Sequence, residues 1–383
     1  MIPDSAQFRD RTHYLAAVAT EVAAPLLRSY ASARAHGVAV PPLEWRRGLI
    51  MGSGHIGDVL YRTCSLERLA RGLPSCKWSY LTTRDGGEIL QGNPALTEVL
   101  AFNRETAVDF VPPYSARELR AREFDVVLCT DNIAHHRALW LAARLGIPNR
   151  VAFVQKGFSG LATLPVVTAR APWPEQIRTM VDAITGTTDA TPLRPRMYLG
   201  PADSNDAQLE WDNLPHPDAS LTLAAAITTR QRLGTLPHSL LHGILRCVLE
   251  QAPRARVVLT GTSADAARLG AMAAALGPRA LVSAGRLKLR SFSAFLTLCD
   301  AFVGADSGPR HLANAAGIPV FFVRNMGAPE IETGRYCDTE FDIAPPGEYL
   351  PQPAVTHSLE SVDHRAVANA IIAAARARRE RTV

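Results

Sequence analysis

The sequence predicts an α/β protein made of two doubly wound domains, each with a parallel sheet. Short apolar runs alternate with helical segments after Arg47 and again after Ser220, and this alternation is typical of right-handed βαβ units. The chain has 383 residues, whereas a single hydrophobic core stops growing at roughly 250–300 residues. Two domains are therefore expected.

The composition indicates a folded protein with a weak positive charge. Hydrophobic residues make up 47% of the chain and charged residues 20%, and the formal net charge is +5. These values exclude a disordered or low-complexity protein. No block of like charges interrupts the sequence, so the positive excess favours small anions such as phosphate groups and argues against nucleic acid as a partner.

Cysteine usage and hydropathy predict a soluble, cytoplasmic protein. The six cysteines lie in or beside apolar runs without a C-x-x-C pair, which indicates free thiols, a reducing compartment and no zinc site. The first residues, MIPDSAQFRD, lack the basic start and apolar run of a signal peptide. No uninterrupted run of about 18 apolar residues occurs, so we expect no membrane-spanning helix.

An amphipathic helix is expected within residues 6–35, ahead of the first strand. Its apolar side chains recur at a spacing of three and four and form one stripe: Leu15, Val18, Val22 and Leu26. We expect the helix to dock on the first domain. A membrane-surface helix is the alternative, disfavoured because Asp10 and Glu21 interrupt a sparse cationic face.

The first domain is predicted to span residues 1–200. Its expected strands are GLIMGS (48–53), KWSYLTT (77–83), TEVLAF (97–102) and FDVVLCT (124–130), with helices over 58–71 and 135–146 and a short helix after the second strand. Residues 201–219 are rich in Pro, Asp, Asn and Ser without helical or strand periodicity, which predicts an interdomain linker.

The second domain is predicted to span residues 220–358. Its expected strands are SLTLAAAI, ARVVLT, ALVSA, DAFVGA and IPVFFV, with helices over 237–251, 264–276, 291–298 and 309–316. A last helix lies within residues 359–383 and is free to pack on either domain, including back on the first. Ligands are expected in the cleft between the carboxyl edges of the two sheets.

The first candidate site is GSGHIGD at residues 52–58, between the first strand and its helix. It matches the dinucleotide fingerprint G-x-G-x-x-G, but Asp58 would repel a pyrophosphate, and Lys77 stands where an acid should hold the ribose. Asp58 is instead suited to accept a proton from an incoming hydroxyl. The alternative is that Asp58 only caps the helix. His55 has the same ambiguity.

The second candidate site is a strand-to-helix turn. It comprises Asp306, Ser307, Gly308, Pro309, Arg310 and His311. Free N–H groups around Gly308, Arg310 and His311 would point at a ligand above the strand, and the helix dipole favours an anion. We expect Arg310 to add a charge-assisted contact to that anion. An ordinary capped helix with a surface arginine is the alternative.

Two weaker candidates are basic. Arg230 and Arg232 follow the first strand of the second domain and are placed to clamp a phosphate. The pair His135 and His136 resembles half of a metal site, but adjacent residues on a helix face different directions and no carboxylates are spaced to complete it. We therefore expect no metal site.

Four segments carry motifs of one known enzyme family. They are GDVLYRT at 57–63, EILQGNPALTEVLAF at 88–102, RVAFVQKGFSGL at 150–161 and GADSGPRHLANAAGIPV at 304–320. The last is similar to the signature D-[ST]-G-x-x-H-L-x-A-A-x-G-x-P and is the most specific. The chain thus resembles the heptosyltransferases, glycosyltransferase family nine, over most of residues 48–325. This resemblance implies the GT-B fold, two facing Rossmann-like domains that bind acceptor and nucleotide sugar.

The resemblance also implies roles for individual residues. Asp58 corresponds to the catalytic base, and the acceptor-side loop corresponds to Gly54, His55, Gly57 and Arg62. The donor-binding positions are Asp306, Ser307, Gly308 and His311, with Leu287 packing on the base and Arg230 or Arg232 on a phosphate. Together with Arg310, these residues predict an inverting transferase that needs neither metal nor cofactor, because fixed N–H groups and guanidinium charges stabilise the leaving diphosphate.

By resemblance the donor is ADP-heptose, and the acceptor is a lipopolysaccharide-type core glycan or a soluble metabolite, with at most peripheral membrane contact. Two departures from the family, the extra N-terminal helix and the segment RNMGAPEIETGRYCD, favour a donor or acceptor unlike that of lipopolysaccharide core synthesis. The alternatives are a nucleotide-sugar epimerase of the same architecture and a catalytically silent nucleotide-sugar-binding protein. A dehydrogenase is disfavoured by the missing ribose acid.

Overall fold

The computed structural model describes residues 11–52, 55–102, 116–130, 135–155, 157–169, 171–188, 191–227, 237–324, 334–343, 359 and 361–382. The chain divides into two compact units, Met1–Thr191 and Pro192–Val383. The predicted fold class, α/β with a doubly wound parallel sheet in each unit, is confirmed.

In its described residues the first unit contains a six-stranded parallel sheet, in the order β3-β2-β1-β4-β5-β6. Its strands are β1 (Arg47–Met51), β2 (Lys77–Thr83), β3 (Glu98–Phe102), β4 (Val126–Cys129), β5 (Asn149–Phe153) and β6 (Leu164–Val166). Its helices are α1 (Arg11–Val22), α2 (Ala24–Ser32), α3 (Ile56–Thr63), α4 (Leu66–Gly72), α5 (Arg84–Leu90), α6 (Ala116–Arg120), α7 (His135–Leu145) and α8 (Trp173–Thr185). The strand order reverses between β1 and β4, where Met51 pairs with Cys129.

The N-terminal helices α1 and α2 dock on the first unit through the face opposite to the predicted one. Three of the four residues in the stripe expected to be buried are solvent-exposed: Leu15 is 54%, Val22 80% and Leu26 75% exposed. The fourth, Val18, is half-buried. The buried positions are instead three alanines at seven-residue intervals, Ala17, Ala24 and Ala31. The prediction that the helix docks is therefore correct, and the predicted docking face is wrong.

Close backbone approach explains this choice of face. A Cβ atom on Gly160 would lie 2.3 Å from the carbonyl oxygen of Ala24, and one on Gly157 would lie 3.0 Å from that of Ala17. The carboxylate of Glu21 also accepts hydrogen bonds from the N–H and the hydroxyl of Ser159, at 2.8 and 2.6 Å. Only small side chains fit a contact this close, so leucine and valine are turned outward.

The described part of the second unit also forms a six-stranded parallel sheet, in the order β12-β11-β10-β7-β8-β9. Its strands are β7 (Leu221–Ala226), β8 (Ala255–Gly261), β9 (Ala280–Ala284), β10 (Ala301–Ala305), β11 (Val320–Val323) and β12 (Glu340–Asp342). Its helices are α9 (Pro201–Asp212), α10 (His238–Gln251), α11 (Ala266–Leu276), α12 (Leu289–Leu298), α13 (Gly308–Ala315) and α14 (His364–Thr382). Here the order reverses between β7 and β10, where Ala226 pairs with Gly304.

The segment predicted to be a linker at 201–219 contains helix α9, so that prediction is wrong. Its buried face is partly polar, which hid the helical periodicity: Glu210 is 9% exposed and accepts a hydrogen bond from the Ser283 hydroxyl at 2.7 Å. Trp211 packs against Phe295 of α12 with ring centroids 5.9 Å apart. Residues 201–212 thus belong to the second unit.

The C-terminal helix α14 packs on the second unit, which settles the choice left open by the sequence. Ala368, Ile371, Ile372 and Ala375 are buried in the same core as the strands β7 and β10. Among the described residues, no helix is long and apolar enough to cross a membrane. All six cysteines are free thiols.

Candidate functional site

Each sheet places a predicted turn at the point where its strand order reverses. Gly52 and Asp58 follow β1 in the first unit, and Asp306 follows β10 in the second. In open α/β sheets the loops at the carboxyl ends of the two strands flanking this reversal form the usual ligand site. The topology therefore positions both candidate turns where open α/β sheets usually bind ligands.

Asp58 occupies the third position of helix α3 and is half-buried. Its Oδ2 accepts a hydrogen bond from the backbone N–H of His55 at 2.6 Å, so the predicted capping role is present. Its Oδ1 makes no hydrogen bond or ion pair within the described part of the chain. Capping therefore uses one carboxylate oxygen and leaves the other available for proton transfer.

Arg62 is 2% exposed, which corrects the expectation that it faces an acceptor. Its Nη1 donates to the carbonyl oxygen of Asp58 at 2.7 Å, and its Nε and Nη2 donate to that of Thr130 at 3.4 Å. It therefore ties the turn after β1 to the turn after β4. Gly57 lies in the first turn of α3, and Gly54 lies outside the described residues.

Gly52 is enclosed by the side chains of Tyr80 on β2, Arg62 on α3 and Thr130 after β4. A Cβ atom there would lie 2.3 Å from the hydroxyl of Tyr80 and 2.9 Å from Cδ of Arg62. A glycine at this position is thus required by packing within the unit. This requirement accounts for Gly52 without a bound dinucleotide, in line with the rejection of the fingerprint.

Arg310 is 1% exposed and is committed to protein carboxylates, which corrects the expectation of a direct contact to phosphate. Its Nη1 donates to Asp306 Oδ1 at 2.8 Å and its Nε to Glu340 Oε1 at 2.6 Å. Its guanidinium also lies 3.5 Å from the ring centroid of Phe322. Arg310 therefore fixes the position of the Asp306 carboxylate through a buried ion pair.

Glu340, the first residue of β12, is a site residue that the sequence reasoning missed. It is fully buried, and its Oε2 accepts the backbone N–H groups of Tyr336 and Cys337 at 2.9 and 3.1 Å. Its Oε1 also accepts from Asn314 Nδ2 at 2.7 Å. No sequence motif marks a glutamate in a three-residue edge strand as the partner of an arginine 30 residues earlier.

Burial and neighbouring charges shift the pKa values of Glu340 and Arg310 in opposite directions. Burial alone would raise the pKa of Glu340, but the charge of Arg310 and the hydrogen bonds it receives hold that pKa below the ordinary value. Likewise, burial disfavours the charged form of Arg310, but the carboxylates of Glu340 and Asp306 raise its pKa above the ordinary value. Both groups are therefore ionised in the folded protein.

His311 is the signature residue that stays beside Asp306. Its Nε2 lies 3.8 Å from Asp306 Oδ1, and its Nδ1 lies 2.7 Å from the hydroxyl of Tyr336. The two rings stack with centroids 5.7 Å apart. The imidazole is 13% exposed, so it is fixed in orientation and still borders the turn.

Of the three N–H groups predicted to be free, at Gly308, Arg310 and His311, the one of Arg310 is not: it donates to the Ser307 carbonyl oxygen at 3.0 Å. Gly308 is the first residue of α13, and its N–H has no acceptor within the described residues. Both Ser307 and Gly308 are half-buried. Leu287 is half-buried in the turn between β9 and α12.

Two predicted arginines and the side chains of two predicted histidines lie outside the described part of the chain. Arg230 and Arg232, in the loop after β7, lie outside the described residues, as do the side chains of His135 and His136. Where side chains are described, no group of three or more His, Cys, Asp or Glu is arranged to hold a metal ion.

Comparison with protein families gives one match. The model of glycosyltransferase family 9 (heptosyltransferase) matches residues 115–323, more than half of the chain. The matched range includes the turn from Asp306 to His311 and begins after Asp58. A search of curated protein sequences found no match.

Solved structures of low sequence identity share the fold. The E. coli ADP-heptose LPS heptosyltransferase II is 16% identical with a TM-score of 0.67, over 87% of this chain and 99% of that chain. A glycosyltransferase family 9 protein of Veillonella parvula is 16% identical with a TM-score of 0.69, over 89% and 98%. The E. coli heptosyltransferase WaaC with ADP-2-deoxy-2-fluoro heptose is 18% identical with a TM-score of 0.62, over 85% and 98%.

Proposed function

Because the chain belongs to glycosyltransferase family 9, the heptosyltransferase family, and is thus a glycosyltransferase, we propose that it transfers a heptose from ADP-heptose to an acceptor hydroxyl with inversion at the anomeric carbon. The observation that carries the proposal is the turn from Asp306 to His311, placed at the strand-order reversal of the second sheet. The acceptor belongs to a lipopolysaccharide-type core or is a soluble metabolite.

The donor binds at the second unit. Asp306 Oδ1 is held by Arg310, whereas Oδ2 makes no hydrogen bond within the described residues and is the group that accepts hydroxyls of the sugar. The amino end of α13 receives the diphosphate, because the N–H of Gly308 and the helix dipole both favour negative charge. The likeness in fold to a heptosyltransferase solved with an ADP-sugar analogue supports this placement.

The acceptor binds at the first unit, where Asp58 acts as the general base. The acceptor oxygen attacks the anomeric carbon as its proton moves to Asp58 Oδ1. The bond between that carbon and the diphosphate oxygen breaks, and the electron pair leaves with ADP. The free Oδ1 of Asp58 supports this role.

The charge that develops on the leaving diphosphate is stabilised without a metal ion. The donors for this task are the amino end of α13 and one arginine of the pair Arg230 and Arg232. Preorganised N–H groups and guanidinium charges perform the same electrostatic work as a divalent cation. Transfer should therefore proceed at an unchanged rate after EDTA treatment, and a rate restored only by added metal would contradict this part of the proposal.

The test is to incubate the full chain with ADP-heptose, with and without an acceptor. Transfer predicts ADP release and a product heavier by one heptose only when the acceptor is present, with an inverted anomeric centre by NMR. An epimerised nucleotide sugar without acceptor would show an epimerase, and binding without turnover would show a silent binding protein. Hydrogen exchange should show ADP protecting residues 306–316, and protection confined to residues 55–63 would overturn the donor assignment.

A further inference from the structure

An arginine-rich pocket of about 640 Å³ lies at the edge of the first sheet opposite to Asp58. We call it the arginine pocket, and its charged lining residues are Arg34, Arg46, Arg47, Arg120, Arg144, Glu123 and Asp125. It lies where β1 and β5 begin, since Arg47 and Asn149 are the first residues of these strands. The proposed transfer reaction uses the carboxyl edge of the sheet, so this pocket has no role in it.

Both acids of the pocket are already engaged. Asp125 Oδ2 accepts the backbone N–H groups of Arg46 and Arg47, each at 2.7 Å. Glu123 forms an exposed ion pair with Arg47 at 3.1 Å. The acids therefore neutralise only part of the charge of the five arginines.

The guanidinium groups of the other four arginines have no carboxylate partner within the described residues. Arg46 donates to the carbonyl oxygens of Leu43 and Trp45, and Arg120 donates to that of Arg144. The guanidinium of Arg34 stacks on Tyr30, and that of Arg144 makes no hydrogen bond or ion pair there. Several guanidinium groups around one cavity are a typical arrangement for binding phosphate oxygens.

Apolar side chains border the same pocket. Val38 lines it and is 83% exposed, and Leu43, whose carbonyl oxygen accepts from Arg46, is 74% exposed. Of the eight large hydrophobic side chains exposed in the described part of the chain, five lie between residues 15 and 43. Exposed leucine and valine beside uncompensated arginines are characteristic of a surface that meets an anionic bilayer.

We propose that the arginine pocket binds the phosphate of an anionic lipid headgroup and that the exposed apolar side chains of residues 15–43 insert into the surface of the same bilayer. The guanidinium groups supply the electrostatic attraction, and Leu15, Val22 and Leu26 supply the apolar area that α1 and α2 leave uncovered. The N-terminal helices are thus a membrane-docking element, independent of the transfer reaction.

The experiment is cosedimentation of the full chain with vesicles of phosphatidylcholine alone and of phosphatidylcholine with phosphatidylglycerol. We expect binding only to the anionic vesicles, and we expect it to weaken as salt is added. Each arginine removed should weaken partitioning about fivefold, so the double variant R34Q/R144Q should lose about 25-fold. The variant Leu26→Gln should lose about tenfold.

Matched variants on the second unit are the controls. Arg376→Gln removes one positive charge from an exposed position on α14 and is compared with the loss expected for each arginine of the pocket. Leu209→Gln changes a leucine that is 65% exposed on α9. Both should bind vesicles like the wild type, and melting curves should show that all variants fold. Equal losses in the controls, or equal binding to both vesicle types, would overturn the proposal.

A soluble phosphate is the other source of the same chemistry. Titration of free glycerol phosphate into the wild type and into R34Q/R144Q tests it directly. Tight binding that depends on the two arginines, with vesicle binding absent, would assign the pocket to a soluble phosphate and overturn the lipid proposal.

Discussion

Arg310 and Glu340 form a buried ion pair that joins the helix after the Asp306 turn to the last strand of the second sheet. Nε of Arg310 donates to Oε1 of Glu340 at 2.6 Å, and the two side chains are 1% and 0% exposed. The same guanidinium holds Asp306 at 2.8 Å. The position of Asp306 is therefore set by a glutamate on a different strand.

Breaking this pair should cost far more stability than breaking an exposed one. In Glu340→Gln the buried Arg310 loses one of its two charged partners and keeps only Asp306, which we expect to lower the free energy of unfolding by about 3 kcal/mol. The matched control is Glu250→Gln, which breaks an exposed pair with Arg246 at 3.7 Å and should cost less than about 1 kcal/mol. Urea unfolding measures both, and equal costs would show that burial of the pair has no effect.

The same pair predicts a specific pH dependence. Because the pKa of Glu340 in the folded state lies below its ordinary value of 4.5, its contribution to stability is complete above that value and is lost as the pH falls through the lower folded-state pKa. We expect the stability difference between the wild type and Glu340→Gln to be constant above about pH 6 and to shrink below about pH 4. A difference that grows on acidification would contradict this sign.

Two substitutions of Asp58 separate catalysis from capping. Asp58→Asn keeps an oxygen that accepts from the His55 N–H, so stability should hold while kcat falls by about 10²- to 10⁴-fold. Asp58→Ala should in addition lose about 1 kcal/mol. Asp265→Asn is the control for loss of a capping charge outside the proposed site: Asp265 Oδ2 accepts the N–H and the hydroxyl of Thr262 at 2.9 and 2.7 Å, and its Oδ1 lies 3.4 Å from Arg268. Unchanged turnover in Asp58→Asn would show that Asp58 only caps helix α3 and is not the catalytic base.

Substitution of Gly160 tests the alanine face of the N-terminal helices. A Cβ atom at Gly160 would lie 2.3 Å from the carbonyl oxygen of Ala24. Because that oxygen is a backbone atom of a helix, it cannot move aside as a flexible side chain can. Gly160→Ala should therefore destabilise the protein by about 1–3 kcal/mol. Gly270 of α11 has open space around its Cβ position, and Gly270→Ala should stabilise by about 0.5–1 kcal/mol. Thermal melts compare the two, and a neutral Gly160→Ala would disprove the close contact.

Truncation of Arg230 and Arg232 tests the proposed phosphate clamp. A charge-assisted contact to phosphate is worth roughly 1.5–3 kcal/mol, so alanine at the true clamp should weaken ADP binding by about tenfold to a hundredfold. Alanine at the other arginine should change little and only at low salt. Isothermal titration at low and high salt measures this asymmetry, and two near-wild-type affinities would remove both arginines from the site.

The sequence by itself determined the parts of the fold that depend on local patterns. The segments KWSYLTT and ALVSA became β2 and β9 with the predicted bounds, because short segments with aromatic or β-branched residues between helical patterns favour strands. The parallel pairing of the strands followed from the same alternation, whereas the location of the two candidate turns at the strand-order reversals came from the structure. The alternative roles of Asp58 were also readable, although the choice between them was not.

Only the tertiary structure decided which side chains meet. It turned the stripe of Leu15, Val22 and Leu26 outward, since the glycines at 157 and 160 admit only the alanine face. It also made Arg310 a buried support of Asp306 by supplying Glu340 from a strand 30 residues away. Neither outcome has a local signal in the sequence. Periodicity shows that a helix face is apolar, and composition shows that a charged side chain is present. The partner that buries that face or pairs with that charge is set by contacts between segments distant in the sequence.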